Sequence, residues 1–438
     1  MTTPIFDFVS KYAKSGIVRF HMPGHKGVGK LGCEQYDITE IKGADVLYSA
    51  EGIIEESENN LTSLYGTAHS FYSTEGSTLA IKAMLALVSE RHGEERPLIL
   101  AARNVHTAFI KAAALLDLDV EFIYPEREGH ICECNITAED VKAAIVKAKE
   151  KPRAIYVTSP DYLGNMLDIS SISAVCRDNG LPLLVDNAHG AYLKFLPEDM
   201  HPITLGAAMC ADSAHKTLPV LTGGAYLHIS PDYADFMIRA RDALSLFSST
   251  SPSYLTLCSL DLCNKRLSEN YSEKIAELIK KIAYVRSEIR RFGIEVCESE
   301  PLKITVKAGQ MLADHLRSGG IEVEFSDRGY TVLMLTPENS NEDIERLICA
   351  LGDFNPSARV EKDTPRVSKP HERVITIRQA MLSHSELIPV DMAEGRICAA
   401  PTVSCPPAVP IVVSGEEITS YDIALFKYYG IDKISVVK

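Results

Sequence analysis

From residue 75 onward the chain alternates two hydrophobic patterns. "STLAIKAMLALVSERHG" carries apolar residues at helical spacing, and the apolar run "PLILAA" after it predicts a short buried strand. "HTAFIKAAALLD" then predicts a helix and "VEFIYP" a strand. "NITAEDVKAAIVKAKE" predicts a further helix, opened by a capping signature from Thr137 to Asp140. "RAIYVTSP", "LPLLVDNAHG", "GAAMCADSAHK" and "GAYLHIS" continue as short β-rich runs. Apolar strands separated by helices imply an α/β fold with a mainly parallel sheet covered on both faces. In such folds ligands sit at the carboxyl ends of the strands.

The pattern changes further along. Residues 255–292 read as helical, and the chain then runs strand, helix, strand, strand, helix through "LKITVKA", "GQMLADHLRSGG", "IEVEFSD", "YTVLMLT" and "NEDIERLICALG". This predicts a separate small α+β domain. A polar stretch, "NPSARVEKDTPRVSKPHE", precedes the Pro-rich segment "CAAPTVSCPPAVPIVVSGEEIT". There is no internal repeat and no low-complexity tract.

Composition narrows the function class. The 438 residues are 46% hydrophobic and 24% charged, ordinary for a globular chain. A formal net charge of −14 leaves no basic stripe to replace phosphate counterions, so nucleic acid is not an expected partner. No apolar run is long enough to cross a bilayer, and "MTTPIFDFVSKYAKSG" lacks a basic start followed by an apolar stretch. The eleven cysteines are scattered and odd in number, which fits a reducing cytoplasm better than a disulfide framework. The tightest group is His130, Cys132 and Cys134 in "HICEC". A zinc site would need a second ligand pair nearby and none follows, so a turn is expected there and no metal anywhere.

Chemistry is expected at the strand ends. "STEGST" sets Gly76, Ser77 and Thr78 directly before a helix, where backbone N–H groups and two hydroxyls form a phosphate cradle. His106 in "ARNVHTA" lies just past a strand, at the start of the next helix. Asp186 ends the strongly apolar strand of "LLVDNAHG", with His189 three residues on. A carboxylate there is partly desolvated and requires a cationic or hydrogen-bonding partner. "CADSAHKT" places Ser213, His215 and Lys216 after another strand. These are the parts that pyridoxal 5'-phosphate requires: a lysine for the Schiff base, an acid for the ring nitrogen, donors for the phosphate and a flat group against the ring. A rival lies in "GHKGVGKL" (24–31), which nearly matches the phosphate loop of an NTPase. It has Leu31 where that loop needs a hydroxyl for Mg²⁺, and no helical periodicity follows.

Along nearly its whole length the chain resembles the ornithine/lysine/arginine decarboxylase family, in its short form without an extra N-terminal domain. The resemblance rests on "HMPGHKG", the "GST" turn at 76–78, "RNVH" at 103–106, "DNAHG" at 186–190, "SAHKT" at 213–217 and "CPPAVPIVVSGEEIT". It implies an aspartate-aminotransferase-like fold (fold type I) with three regions. These are an N-terminal arm over 1–60, a large cofactor-binding α/β domain over 61–290 and a smaller C-terminal α+β domain over 291–438. It further implies that Lys216 binds the cofactor covalently, that Asp186 pairs with the pyridinium, that His106 stacks on the ring and that His189 sits near it. Gly76, Ser77, Thr78, Ser213 and His215 would hold the phosphate, and "PGHKG" would belong to an arm near the active-site mouth and a dimer contact. The implied activity is decarboxylation of lysine, arginine or ornithine to the amine and CO₂, in polyamine biosynthesis, by a homodimer or larger homo-oligomer. Another reaction of the same cofactor (transamination, aldol cleavage or elimination) or a diverged non-catalytic relative is the alternative. The chain departs from the family pattern at Glu75, Asp161, Ala400 and Cys405. Ala400 replaces an acid of the kind that selects a basic substrate. Glu75 and Asp161 are read either as solvated rim residues or as changes in specificity.

Overall fold

The computed structural model describes residues 1–90, 95–126, 129–355, 370–401 and 407–438. In chain order the elements begin with helices α1 (Pro4–Ala13) and α2 (Ile53–Tyr65), strand β1 (His69–Ser73), α3 (Gly76–Val88), β2 (Leu98–Ala102) and α4 (Thr107–Leu116). Next come β3 (Asp119–Ile123), α5 (Ala138–Lys147), β4 (Ala154–Thr158), α6 (Ile169–Asp178), β5 (Leu183–Asp186), β6 (Met209–Asp212) and the short α7 (Ala214–Thr217). They continue with β7 (Ala225–Ile229), α8 (Met237–Ser245), α9 (Tyr254–Ser268), α10 (Tyr271–Arg291), β8 (Lys303–Val306) and α11 (Gly309–Ser318). The last are β9 (Phe325–Ser326), β10 (Thr331–Met334), α12 (Asn341–Asp353), α13 (Ile377–Leu382), β11 (Ser385–Pro389), α14 (Ser420–Tyr428) and β12 (Lys433–Val437).

The chain divides into two compact units, each built from two stretches of sequence. The first comprises Met1–Val88 and Pro182–Lys274. Its strands lie in the order β1-β7-β6-β5. β5 and β6 are parallel, with Asp186 opposite Ala211. β7 runs antiparallel to β6, with Cys210 opposite His228, and antiparallel to β1. Every residue of these four strands is buried, so both faces are covered and the strands read as continuous apolar runs. Helix α3 is buried nearly all round from Leu79 to Val88, as a helix without a polar face must be.

The second unit comprises Ser89–Leu181 and Ile275–Lys438. In it β2 pairs in parallel with β3 on one side and β4 on the other. Helix α5 opens with a reciprocal capping box, in which Thr137 Oγ1 accepts from the Asp140 amide at 3.2 Å and Asp140 Oδ2 accepts from the Thr137 amide at 2.8 Å. β10 lies between β8 and β9 in a three-stranded antiparallel sheet. An apolar cluster around Val412, Ile418, Phe426, Ile434 and Val436 holds the antiparallel pair β11–β12 to the rest of the unit.

The helices and strands predicted from residue 75 to 160 occur where the pattern places them. The helical stretch at 255–292 is two helices, α9 and α10, separated at Glu269 and Asn270. "IEVEFSD" forms a strand only over Phe325–Ser326. Helices α1, α2 and α6 were not foreseen. α6 begins in the Ser-rich run "ISSIS", whose weak helix propensity is offset by Asp168 accepting from the Ser171 amide at 3.0 Å. No helix among the described residues is long and apolar enough to cross a membrane.

Candidate active site

Strands β5 and β6 end side by side, and each delivers reactive groups from its carboxyl end. Asp186 closes β5 and is 2% exposed, its Oδ1 accepting the Ala188 amide at 3.2 Å. This bond folds the chain sharply after the strand, which brings His189 back towards the end of β6. There Ser213 follows β6 directly and α7 presents His215 and Lys216, both half-buried. Lys216 Nζ lies 3.1 Å from His189 Nε2. A proton can pass between these two nitrogens at hydrogen-bond distance.

The turn before α3 meets the same loop. Ser213 Oγ donates to Ser77 Oγ at 2.7 Å. Gly76 has φ +72°, and its amide donates to the Gly223 carbonyl at 2.7 Å. Gly223 has φ +97°, and a Cβ there would stand 2.7 Å from the Thr74 carbonyl oxygen, so the close approach requires glycine. The next carbonyl, Gly224 O, accepts both the His215 amide at 3.1 Å and His215 Nδ1 at 2.9 Å. Burial lowers the His215 pKa, the Gly224 carbonyl partly offsets this, and the charge of Lys216 adds to the lowering. Gly76, Ser77, Ser213 and His215 therefore surround one helix N-terminus, and Thr78 lies in the first turn of that helix. Such an assembly suits a phosphate.

His106 belongs to the second unit. It is the N-cap of α4, and its Nδ1 accepts the Ala108 amide at 3.1 Å, which leaves Nε2 as the protonated nitrogen of the neutral ring. The preceding Arg103 is buried and donates to the carbonyls of Pro410 and Ile411 at 2.9 and 2.8 Å, while the Thr107 amide donates to Ala408 O at 3.0 Å. The "RNVH" segment is thus hydrogen-bonded to residues 408–411 of the C-terminal part of the chain. Sequence reasoning assigned no role to Arg103; its only signal was a charged residue ending an apolar strand.

Two further residues escaped the sequence reading. Asn187 Nδ2 donates to Asp212 Oδ1 at 2.7 Å and braces the end of β5 against the end of β6. Asp212 itself is fully buried between His201 and His228. Burial pushes its carboxyl up, but the two imidazoles outweigh burial and hold it well below the usual carboxylate range.

The residues singled out as departures separate clearly. Glu75 is exposed and its Oε1 accepts the Ser249 amide at 2.7 Å. Asp161 is buried, which corrects the reading of it as a rim residue. Its oxygens accept the Asn165 amide and side chain at 2.9 and 2.7 Å, and its carbonyl accepts Lys303 Nζ at 2.9 Å. Burial pushes its pKa up to about 6 against the opposing pull of the Asn165 bonds. Ala400 is half-buried, and Cys405 lies outside the described residues. The described cysteines are all free thiols.

"GHKGVGK" is not a nucleotide loop. His25 is held by Asp37 at 3.1 Å, Lys26 Nζ donates to the His21 carbonyl at 2.6 Å, and only a three-residue 3₁₀ turn at Glu34–Tyr36 follows. Without a helix N-terminus the segment has no phosphate-directed dipole. In "HICEC", His130 is engaged by Asp327 at 2.6 Å and by Tyr429, and its Nδ1 accepts the Cys132 amide at 3.2 Å. Both ring nitrogens are committed, and the segment is a turn.

The model of the Orn/Lys/Arg decarboxylase major domain matches residues 3–308, and that of the family's C-terminal domain matches residues 360–432. The chain belongs to this family. Its members are pyridoxal-phosphate-dependent amino-acid decarboxylases, and this chain is one of them. The arginine decarboxylase of Bacillus subtilis is 29% identical, covering 97% of this chain and 93% of its own length; that of Bacillus cereus is also 29% identical, over 94% and 96%. Among solved structures, the Francisella novicida lysine decarboxylase LdcF superposes with a TM-score of 0.82 at 18% identity, covering 100% of this chain and 81% of that one. A NifS-like protein gives a TM-score of 0.55 at 15% identity over 70% of this chain and 90% of that one. These superpositions establish pyridoxal-phosphate fold type I, with a mainly parallel sheet and a smaller C-terminal domain. Family and fold imply pyridoxal phosphate. The donor set agrees: a helix N-terminus with hydroxyls and an imidazole suits the phosphate, and a lysine just after β6 with a buried carboxylate at the end of neighbouring β5 suits the pyridine aldehyde.

Proposed function

We propose that this decarboxylase acts on a basic amino acid, arginine first, and then lysine or ornithine, releasing CO₂ and the corresponding amine for polyamine formation. The observation that carries the reaction chemistry is the 3.1 Å contact between Lys216 Nζ and His189 Nε2, three residues after the buried Asp186 and on the same loop as the Ser77–Ser213 contact. Arginine leads because four relatives that match over more than nine-tenths of the chain are arginine decarboxylases. The aspartate decarboxylase of Thermococcus kodakarensis matches over only 63% of the chain.

In this reading Lys216 Nζ is the covalent attachment point, and Gly76, Ser77, Thr78, Ser213 and His215 hold the phosphate. Bound pyridoxal phosphate supplies a conjugated ring that accepts the electron pair released with CO₂. Asp186, buried at the end of β5, would pair with the pyridine nitrogen and hold a proton there. His106 Nε2–H and its ring face serve as the stacking group. Once CO₂ has left, Lys216 Nζ delivers a proton to the substrate Cα and is recharged through His189 Nε2. The working form is a homodimer or larger homo-oligomer, an arrangement supported by the exposed apolar residues of the arm.

The test is to incubate the purified protein with arginine, lysine, ornithine and aspartate while measuring CO₂ and amine. Release from a basic amino acid, with arginine fastest, is expected. Turnover of aspartate alone would overturn the substrate class, and a visible absorption band that survives Lys216→Ala would overturn the attachment point.

A further inference from the structure

The two loops that carry the reactive groups are joined at a second point, which the proposed chemistry does not use. Asn187 follows Asp186 at the end of β5, and Asp212 ends β6 directly before Ser213. Both are completely buried, and Asn187 Nδ2 donates to Asp212 Oδ1 at 2.7 Å. The bridge thus stands next in sequence to the carboxylate assigned to the ring nitrogen, and one short turn before the lysine assigned to the aldehyde.

The turn after β5 closes without this side chain. The Gly190 amide donates to the Asn187 carbonyl at 2.8 Å, and the Asn187 amide donates to the Ala211 carbonyl at 3.0 Å. A Cβ at Gly190 would stand 2.0 Å from Asn187 Oδ1, so the glycine makes room for the amide. The amide has one favourable orientation, because its oxygen turned towards Asp212 would face a carboxylate.

Asp212 is itself held in place. Its Oδ2 lies 3.1 Å from His201 Nε2 and 3.3 Å from His228 Nε2. His228 is fixed in turn, with Nδ1 2.7 Å from Ser70 Oγ and Tyr65 stacked on its ring, the centroids 4.4 Å apart. Stability alone does not call for this arrangement, since an apolar pair of similar volume commonly serves as well without desolvating a carboxylate. What the charged bridge adds is direction: a short, charge-assisted hydrogen bond fixes both the distance and the angle between two strand ends.

Direction matters because three anchors set the plane of a bound pyridine ring. They are Asp186 on β5 for its nitrogen, Lys216 on α7 for its aldehyde carbon, and the Ser77–Ser213 contact for its phosphate. A bond at the substrate Cα breaks readily only when it lies perpendicular to that plane, where the conjugated ring accepts its electron pair. Turning the end of β5 against the end of β6 tilts the ring and misdirects the substituents of Cα.

We propose that Asn187, acting through Asp212, is a positioning residue that sets the tilt of the cofactor ring and so favours loss of the carboxylate over loss of the Cα proton. The inference rests on the roles proposed above for Lys216 and Asp186. His201 and His228 contribute by holding Asp212. With the bridge removed, the competing outcome is transamination. The Cα proton leaves, a proton returns to C4′ of the cofactor, and water hydrolyses the C=N bond. The products are a 2-oxo acid and pyridoxamine phosphate, and the electron pair of the lost Cα–H bond ends in the new C4′–H bond, so no outside oxidant is needed.

The test compares the wild-type holoenzyme with Asn187→Leu, which is similar in shape and lacks the donor. The visible circular dichroism of the bound cofactor reports ring orientation; it is expected to fall by roughly half or more while the absorption band remains. With arginine as substrate, kcat is expected to fall roughly 10²-fold with KM nearly unchanged, the size of a small misplacement of reacting groups. The ratio of pyridoxamine phosphate to amine is expected to rise about tenfold. Wild-type dichroism and product ratio in Asn187→Leu, even with a lowered unfolding temperature of the apoenzyme, would show a merely structural role and overturn the proposal. If Asn187→Leu does not fold, Asn187→Ala is judged by the same two measurements. A covalent band that survives Lys216→Ala overturns the attachment point instead, and a wild type that forms no amine overturns the assigned reaction; the dichroism of Asn187→Leu still decides whether the bridge orients the ring.

Discussion

Lys216 and His189 show how one contact assigns a role that residue type leaves open. A lysine is ordinarily a solvated charge, and a histidine after a strand is ordinarily a packing residue. At 3.1 Å they stand at hydrogen-bond distance, as the proposed proton transfer requires. His189→Asn is expected to keep the bound-cofactor band but to lower kcat roughly 10²-fold, the size of a lost general acid–base partner, and to alter the pH profile of kcat. Unchanged kcat with raised KM would instead assign His189 to substrate binding. Asp161 provides the pH signature. Its folded pKa of about 6 stands above the ordinary 3.8, so the native state binds that proton more tightly than the unfolded chain does. Its contribution to stability is greatest below pH 4, falls as pH rises from 4 to 6, and is constant above. Wild type should therefore lose roughly 2 kcal/mol relative to Asp161→Asn between pH 4.5 and 7 in urea titrations. A pH-independent difference would show that Asp161 is not protonated in the fold.

At the scale of elements, the turn before α3 depends on a turn far from it in sequence. The Gly76 amide and the His215 amide are satisfied by consecutive carbonyls, those of Gly223 and Gly224. The loop before β7 thus sets the start of α3 and the helix that carries Lys216. Gly223→Ala combines a left-handed backbone with a contact to the Thr74 carbonyl, and both terms are unfavourable. It is expected to cost about 1–3 kcal/mol in thermal unfolding and to weaken cofactor affinity measured by titration of the apoenzyme. An unchanged affinity would separate this turn from the phosphate site. The elements from β2 to β4 were legible because each carries a complete local signal: a strand buried on both faces, an amphipathic or fully apolar helix, a capping box. Helices α1 and α2 were overlooked because they precede the alternating pattern, and α6 because its cap, not its composition, stabilises it.

At the scale of the whole molecule, the N-terminal segment presents an unusual surface. Phe20 is 94% exposed and Leu31 85%, with Val18 and Val28 exposed nearby. Such apolar side chains ordinarily mark a contact surface. Sedimentation of the wild type should give a dimer or larger, and Phe20→Glu with Leu31→Glu should shift the equilibrium towards monomer; a monomeric wild type would remove the arm from any assembly. Local sequence by itself determined the α/β alternation, the glycine turn before α3 and the placing of Asp186 and Lys216 at strand ends, because each depends on a short motif with its own backbone geometry. Only the tertiary structure decided that Asp161 is buried, that Arg103 anchors a segment about 300 residues further on, and that Asp212 meets His201, Cys210 and His228. Those facts rest on strand register and on which neighbours share one face. Register is set by the packing of the entire sheet, so residues far apart in sequence meet only once the chain has folded.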